Sequence, residues 1–92
     1  MSNETKETRR RQYERVMMDM PDGVVVRVVD GSHGDLHAVS RDPYRIGKDV
    51  IRIATYQRDG RRSIEFFDTA EAAAALRNAL TEVLEEESEA RK

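Results

Sequence analysis

The sequence predicts a small α+β fold: an antiparallel meander of three or four strands with a helix at each end of the chain, in the order α-β-β-β-β-α. Asp59-Gly60 separates two runs of β-branched and aromatic residues, which is the pattern of a β-hairpin. An alanine-rich segment with apolar residues at helical spacing follows at 69–87. The connections between strand-like segments are short, and short connections join antiparallel neighbours.

The hairpin divides its side chains between two faces. A two-residue type I′ turn at Asp59-Gly60 places Arg52 opposite Phe67 and Tyr56 opposite Ser63. The apolar face, which we expect the C-terminal helix to cover, consists of Ile51, Ile53, Ile64 and Phe66. The other face, which we expect to be exposed, carries Arg52, Tyr56, Arg58, Arg61, Glu65 and Phe67.

The C-terminal helix has both a start signal and an apolar stripe. Asp68 is the predicted N-cap, with Glu71 at the spacing of a capping box. The stripe facing the sheet consists of Ala72, Ala73, Leu76, Leu80, Val83 and Leu84. We expect the helix to fray after Glu85, because consecutive glutamates oppose the helix dipole, and the tail 88–92 to be frayed.

The N-terminal half supplies the first helix and the rest of the sheet, which spans 24–68. Residues 4–20 predict an amphipathic helix that Pro21-Asp22-Gly23 ends. Its stripe of Tyr13, Val16, Met17 and Met20 is interpreted as core or as a self-association contact. The valine-rich strand at 24–29 predicts cover on both faces, by a helix on one face and by the N-terminal helix or a second subunit on the other. A second strand spans 36–41, and 42–49 is a loop.

The composition bounds the class of protein. Ninety-two residues, of which 38% are hydrophobic, form one domain, 1–92, with a small core, so we expect a homodimer. The chain has no cysteine, no apolar run long enough for a membrane span and no secretory signal, which predicts a cytoplasmic protein. Its abundance of arginine, alanine and valine suggests a high-GC genome, such as an actinobacterium or its phage.

No residue pattern predicts catalysis. The two histidines, His33 and His37, lie in a turn leading into a strand, where a spacing of four does not bring both side chains to one metal ion. No nucleophile motif or phosphate-binding loop is present. We therefore expect a protein without enzymatic activity, metal, cofactor or small-molecule substrate.

The exposed hairpin face is the predicted binding surface, together with Arg45 and Lys48 in the preceding loop. Its binding residues are Arg45, Lys48, Arg52, Tyr56, Arg58, Arg61 and Phe67. Arginine and tyrosine are enriched at protein interfaces, and the same residues bind phosphate and stack on bases. We expect a regulatory interaction protein that binds a protein partner through this face or the N-terminal helix. Single-stranded nucleic acid is the alternative partner.

The segment IRIATYQRDGRRSIEFFDTAEAAAALRNAL is similar to the PC4-type transcriptional coactivator domain, over about half of the chain. Members of that family dimerise through the helix and bind single-stranded DNA on the sheet. The resemblance thus implies single-strand binding on the arginine–tyrosine face. The lysine- and glycine-containing strand of the family is replaced here by Arg61-Arg62-Ser63-Ile64-Glu65.

Overall fold

The computed structural model describes residues 3–44 and 49–91 and confirms the predicted fold class. The elements are α1 (Asn3–Met18), β1 (Val26–Asp30), β2 (Leu36–Arg41), β3 (Val50–Tyr56), β4 (Arg62–Thr69) and α2 (Ala70–Ala90), with a short 3-10 turn at Ser32–Gly34. The strands form one antiparallel sheet in the order β1-β2-β3-β4. α2 packs against β3 and β4. Arg45 and Lys48 lie outside the described residues.

The β3–β4 hairpin keeps the predicted register, but its turn differs from the prediction. Arg52 is opposite Phe67, as predicted. The loop has three residues, 58–60, because Gly60 N donates to Gln57 O (2.8 Å) and Gln57 N donates to Arg61 O (2.9 Å). Only Gly60 has a positive φ, 86°, which is the arrangement of a type I turn with a bulge rather than of a type I′ turn.

A register shift at Thr55/Tyr56 compensates for the longer loop. Thr55 pairs with Ile64, while Tyr56 pairs with Arg62, so Ser63 is the extra residue in β4. The pairing of Tyr56 with Ser63 that we predicted is therefore wrong. The shift places Arg62, rather than Ser63, beside Tyr56.

α1 covers one face of the sheet, here called the covered face. The buried apolar side chains of this core are Val16, Leu36, Ala38, Ala54 and Tyr56. Gln12, Ser40 and Arg52 are buried with them. The covered face is thus packed by polar groups as well as by apolar ones.

The predicted sidedness of the hairpin is wrong. Arg52 and Tyr56, expected in solvent, are 0% and 1% exposed, whereas Ile64 and Phe66 are 54% and 39% exposed. Arg52 tolerates burial because two carboxylates and a phenol contact its Nε and Nη2, although its buried Nη1 has no hydrogen-bond partner among the described residues. None of the described residues of α2 is buried, so this helix covers the isoleucine–phenylalanine face only in part: Ile51 and Ile53 are half-buried, and Ile64 and Phe66 are exposed.

Both ends of α2 differ from the prediction. Thr69, not Asp68, is the N-cap, since its Oγ1 accepts from Ala72 N at 3.1 Å. Asp68 is still part of β4, where it pairs with Ile51. The helix does not fray after Glu85 but continues to Ala90, with an ion pair between Arg91 and Glu87 at 2.8 Å. Neither helix in the described part of the chain is apolar enough, over sufficient length, to cross a bilayer.

The apolar residues of α1 and β1 are only partly covered. Among residues 6–18 of α1, Gln12 and Val16 are buried, whereas Tyr13 and Met17 of the predicted stripe are exposed. In β1, Val26 and Val28 pack against the core, but Val29 is exposed. β1 is an edge strand of a sheet that α1 covers on one face, so the isolated chain covers β1 on that face alone. Cover of its other face by a second subunit stays a prediction.

Candidate interaction surfaces

A polar network centred on the buried side chains of Arg52 and Tyr56 connects α1 to the sheet. Arg52 Nε donates to Glu65 Oε2 at 2.6 Å, and Arg52 Nη2 donates to the Tyr56 hydroxyl at 2.9 Å. The Tyr56 hydroxyl in turn donates to Asp19, just beyond the end of α1. Arg62 Nη1 completes the network at 3.3 Å from Asp19 Oδ2 and 3.5 Å from Glu65 Oε2. The network thus joins α1 to β3 and β4.

Tyr56 and Arg52 keep their ordinary protonation states in this network, as expected of residues that stabilise the fold. Burial raises the pKa of Tyr56, and its hydrogen bond to Asp19 raises it further, although Arg52 acts in the opposite direction. Burial alone lowers the pKa of Arg52, but hydrogen bonds with Tyr56 and Glu65 outweigh burial and raise it. The phenol therefore stays neutral and the guanidinium stays charged at physiological pH.

The predicted binding residues do not form one surface. Arg52 and Tyr56 are buried, so the exposed arginine–tyrosine face that we predicted is absent. Phe67 is half-buried and makes an edge-on contact with Tyr44, with 5.9 Å between the ring centroids. Arg58 and Arg61 alone of this set are exposed, at the hairpin loop; Arg45 and Lys48 lie outside the described residues.

The hairpin loop, together with the adjacent part of α1, forms a basic end of the molecule, defined by Arg11, Arg15, Arg58 and Arg61. A Cβ atom at Gly60 would lie 2.9 Å from Arg15 Cγ and 3.9 Å from Arg11 O, so the loop contacts α1 closely. Arg61 lies 3.8 Å from Asp59. Within residues 3–44 and 49–91, the other three arginines form no ion pair, so this end carries positive charge.

Exposed apolar residues lie on β4 and α2, together with half-buried isoleucines of β3. We call this set the open side: the half-buried Ile51 and Ile53 and the exposed Ile64 and Phe66 of the sheet, and the exposed α2 residues Leu76, Leu80, Val83 and Leu84. On α2 the exposed fraction rises along the helix, from 40% at Leu76 to 66% at Leu84. A monomer normally buries an apolar helical stripe against its own core, so the open side has the character of an interface.

A second, smaller apolar patch lies on the outward surface of α1. Tyr13, Met17 and Met18 are 44%, 53% and 72% exposed and line a shallow cavity with Arg10 and Glu14. Tyr13 and Met17 belong to the self-association stripe that we predicted. Val16 of that stripe is buried in the core instead.

The histidines are structural or exposed in this fold. His37 Nδ1 lies 2.9 Å from Thr55 Oγ1, and His33 is exposed in the 3-10 turn. Across the part of the chain that the structure describes, no three histidine, aspartate or glutamate side chains are grouped so that they could hold a metal ion.

Sequence reasoning missed Gln12, Asp19 and Arg62 as partners of the buried face. Gln12, Val16 and Asp19 are spaced four and three apart, a helical pattern that predicts one face. The polar character of Gln12 and Asp19 concealed this face.

Comparison of the chain with family models, with curated proteins and with solved structures gives no match.

Proposed function

We propose that this chain is a non-catalytic interaction protein, of regulatory type, that binds another protein chain through its open side. The observation that supports this proposal is the apolar stripe of α2, whose four large side chains are all at least 40% exposed. Isolated exposed leucines are common in monomers. Four such residues on one helix, next to the exposed Ile64 and Phe66 of the sheet, are typical of a surface that a partner covers.

The size of these side chains makes them effective anchors. Complete burial of a leucine, valine, isoleucine or phenylalanine stabilises a structure by about 1.5–3 kcal/mol relative to full exposure. Leu80, Val83 and Leu84 are each more than half exposed, so most of that free energy is left for binding. A partner with an apolar face gains it without any rearrangement of the sheet.

Substitution of Leu80 tests the proposal. The full chain is immobilised and exposed to host lysate with and without nuclease, as wild type, as Leu80→Asp and as Met18→Asp. Met18 is the matched control, because it is an exposed apolar helical residue on the other helix. We expect protein binding that survives nuclease, is lost in Leu80→Asp and is kept in Met18→Asp. Equal retention by all three forms would contradict the proposal.

The basic end supports a second candidate, the binding of single-stranded nucleic acid. Arg11, Arg15 and Arg58 form no ion pair within the described residues, and such cations are available to phosphates. Because Tyr56 is buried, this mode lacks the stacking residue that we had assigned to it. It therefore ranks below protein binding.

Titration with fluorescent single- and double-stranded oligonucleotides at two salt concentrations tests the second candidate. We expect salt-sensitive binding that Arg58→Ala/Arg61→Ala weakens and Leu80→Asp does not change. An absence of binding at low salt would exclude this candidate.

A further inference from the structure

The isolated chain exposes more surface than a folded monomer of its mass. Its accessible area is 7154 Å². Folded monomers of about 10.6 kDa expose about 5,500 Å². Its radius of gyration is 15.2 Å, against about 12 Å for a compact domain of this length. The excess of about 1,700 Å² is area that a folded monomer of this size would bury.

The excess area matches the interface of a stable homodimer. Two copies together carry about 3,400 Å² of excess surface, and obligate homodimers bury about 2,000–5,000 Å² in total. A twofold contact buries the same patch on both chains, so a single interface removes the excess from each. An unrelated partner would have to bring a matching apolar surface of its own.

We infer that the open side is covered by a second copy of this chain, with the two α2 helices paired antiparallel about Leu80. This inference rests on the proposed function, because it names the partner of the same surface. The helix has 21 residues and is therefore about 31 Å long. The large residues of its stripe extend from Leu76 to Leu84, so their midpoint is Leu80, and Leu76 of one copy lies opposite Leu84 of the other.

The charge of α2 selects the antiparallel orientation. The C-terminal part of the helix carries five carboxylates: Glu82, Glu85, Glu86, Glu87 and Glu89. A parallel pair would bring two such clusters together, and like charges at close distance destabilise an interface. An antiparallel pair puts Glu85, Glu86 and Glu87 beside the uncharged, alanine-rich segment 72–75 of the other helix, and only Glu89 lies opposite a carboxylate, that of Glu71.

Sedimentation equilibrium of the full chain tests whether the partner is a second copy of this chain. We expect wild type to have twice the 10.6 kDa protomer mass and Leu80→Asp to have the protomer mass. Met18→Asp, the matched control, remains dimeric. Because Leu80 is 55% exposed in the protomer, Leu80→Asp does not disturb the protomer core, and circular dichroism checks that its helix and sheet contents are unchanged.

Each other outcome has a distinct meaning. In one outcome, wild type remains a monomer at millimolar concentration and still captures another protein through Leu80. That outcome overturns the inference and leaves the proposed function intact. A monomer with no Leu80-dependent capture overturns both. A dimer that persists in Leu80→Asp overturns the inference, and loss of that dimer in Met18→Asp assigns self-association to α1 instead.

Disulfide trapping tests the orientation, because the chain has no cysteine of its own. Ala73 and Glu87 are each seven residues from Leu80, so an antiparallel pair brings position 73 of one copy to position 87 of the other. A mixture of Ala73→Cys and Glu87→Cys chains should form mainly the mixed disulfide on mild oxidation. A predominant disulfide between two Glu87→Cys chains, or no mixed product, overturns the antiparallel pairing.

Discussion

Replacement of Gln12 tests how α1 is held on the sheet. Its side chain is 1% exposed, and its Nε2 lies 2.9 Å from Gly34 O, 3.0 Å from Gln57 O and 3.3 Å from Tyr56 O. The amide group has two hydrogens, so three carbonyl groups share two donors. These bonds join α1 to the β1–β2 turn, to the end of β3 and to the residue that follows it.

The expected loss of stability on replacing Gln12 follows from these contacts. Two buried hydrogen bonds contribute about 1 kcal/mol each, and the Cγ methylene group, which alanine lacks, contributes about 0.8 kcal/mol. Gln12→Ala should therefore lower the free energy of unfolding by about 3 kcal/mol. Gln12→Glu keeps the methylene groups but places a carboxylate against the three carbonyl oxygens. We expect it to cost at least about 3 kcal/mol at pH 7.

The two variants should differ in their pH dependence. Burial and three neighbouring carbonyl oxygens act to raise the folded-state pKa of the introduced carboxyl above its unfolded value of about 4.3, and Arg9, whose Nη1 donates to Gln12 Oε1 at 3.2 Å, acts in the opposite direction. We expect the first two effects to outweigh the third. A group with a raised pKa stabilises the folded state below the unfolded pKa, and that contribution is lost as the pH rises. The loss in free energy of unfolding caused by Gln12→Glu, here called its deficit, should therefore be smaller at pH 4 than at pH 7, because the protonated carboxyl can donate a hydrogen bond. The deficit of Gln12→Ala should not change.

Urea unfolding at pH 7 and pH 4, at one protomer concentration, measures both deficits. A loss of about 3 kcal/mol corresponds to about 12–24 °C in melting temperature for a domain of this size. If Gln12→Glu were within about 0.5 kcal/mol of wild type at pH 7, less than one net hydrogen bond, α1 would not be held through this side chain.

Two further predictions concern Tyr56 and Gly60. Because the folded-state pKa of Tyr56 is raised above its usual value of about 10, wild type should keep its stability below pH 10 and lose it as the pH rises through that higher pKa. Thermal unfolding against pH should show this alkaline loss in wild type and not in Tyr56→Phe; equal losses would contradict it. Gly60→Ala should lower the free energy of unfolding by about 1–2 kcal/mol because of its φ of 86°, and by a further amount because the new Cβ would contact Arg15. Gly23→Ala is the control: its φ is 89°, but nothing lies within 4 Å of the new Cβ, so it should show the backbone cost alone. Equal losses in the two variants, by urea unfolding, would contradict the contact.

The register of the sheet could be read from the sequence, but its sidedness could not. Strand periodicity places Arg52 and Tyr56 on one face and Ile53 and Phe66 on the other, as the structure confirms. Periodicity does not say which face α1 covers. That depends on contacts distant in sequence, such as those of Arg52 with Glu65 and Asp19, which make burial of a charge tolerable.

The turn of the β3–β4 hairpin is a second feature that short-range sequence patterns did not predict correctly. The Asp-Gly pair predicts a type I′ turn because both central residues of that turn need a positive φ. In the structure Asp59 has no positive φ, and its Oδ1 accepts from Arg61 N at 2.8 Å. That local bond favours the type I turn, and the extra loop residue is compensated by the bulge at Ser63, which no short-range pattern indicates.

The reversed sidedness would link the folding of the chain to the self-association inferred above. Among the described residues the apolar core consists of five side chains, of which two are alanine, while Ile64, Phe66 and the α2 leucines of the open side remain exposed. In the inferred dimer, much of the available hydrophobic free energy would be released only when the second chain covers that side. The melting temperature of wild type should therefore rise with protein concentration, and that of Leu80→Asp should be lower and independent of it. A concentration-independent melting temperature in wild type, measured by calorimetry over a hundredfold range, would show that α1 and its polar network suffice to hold the protomer folded.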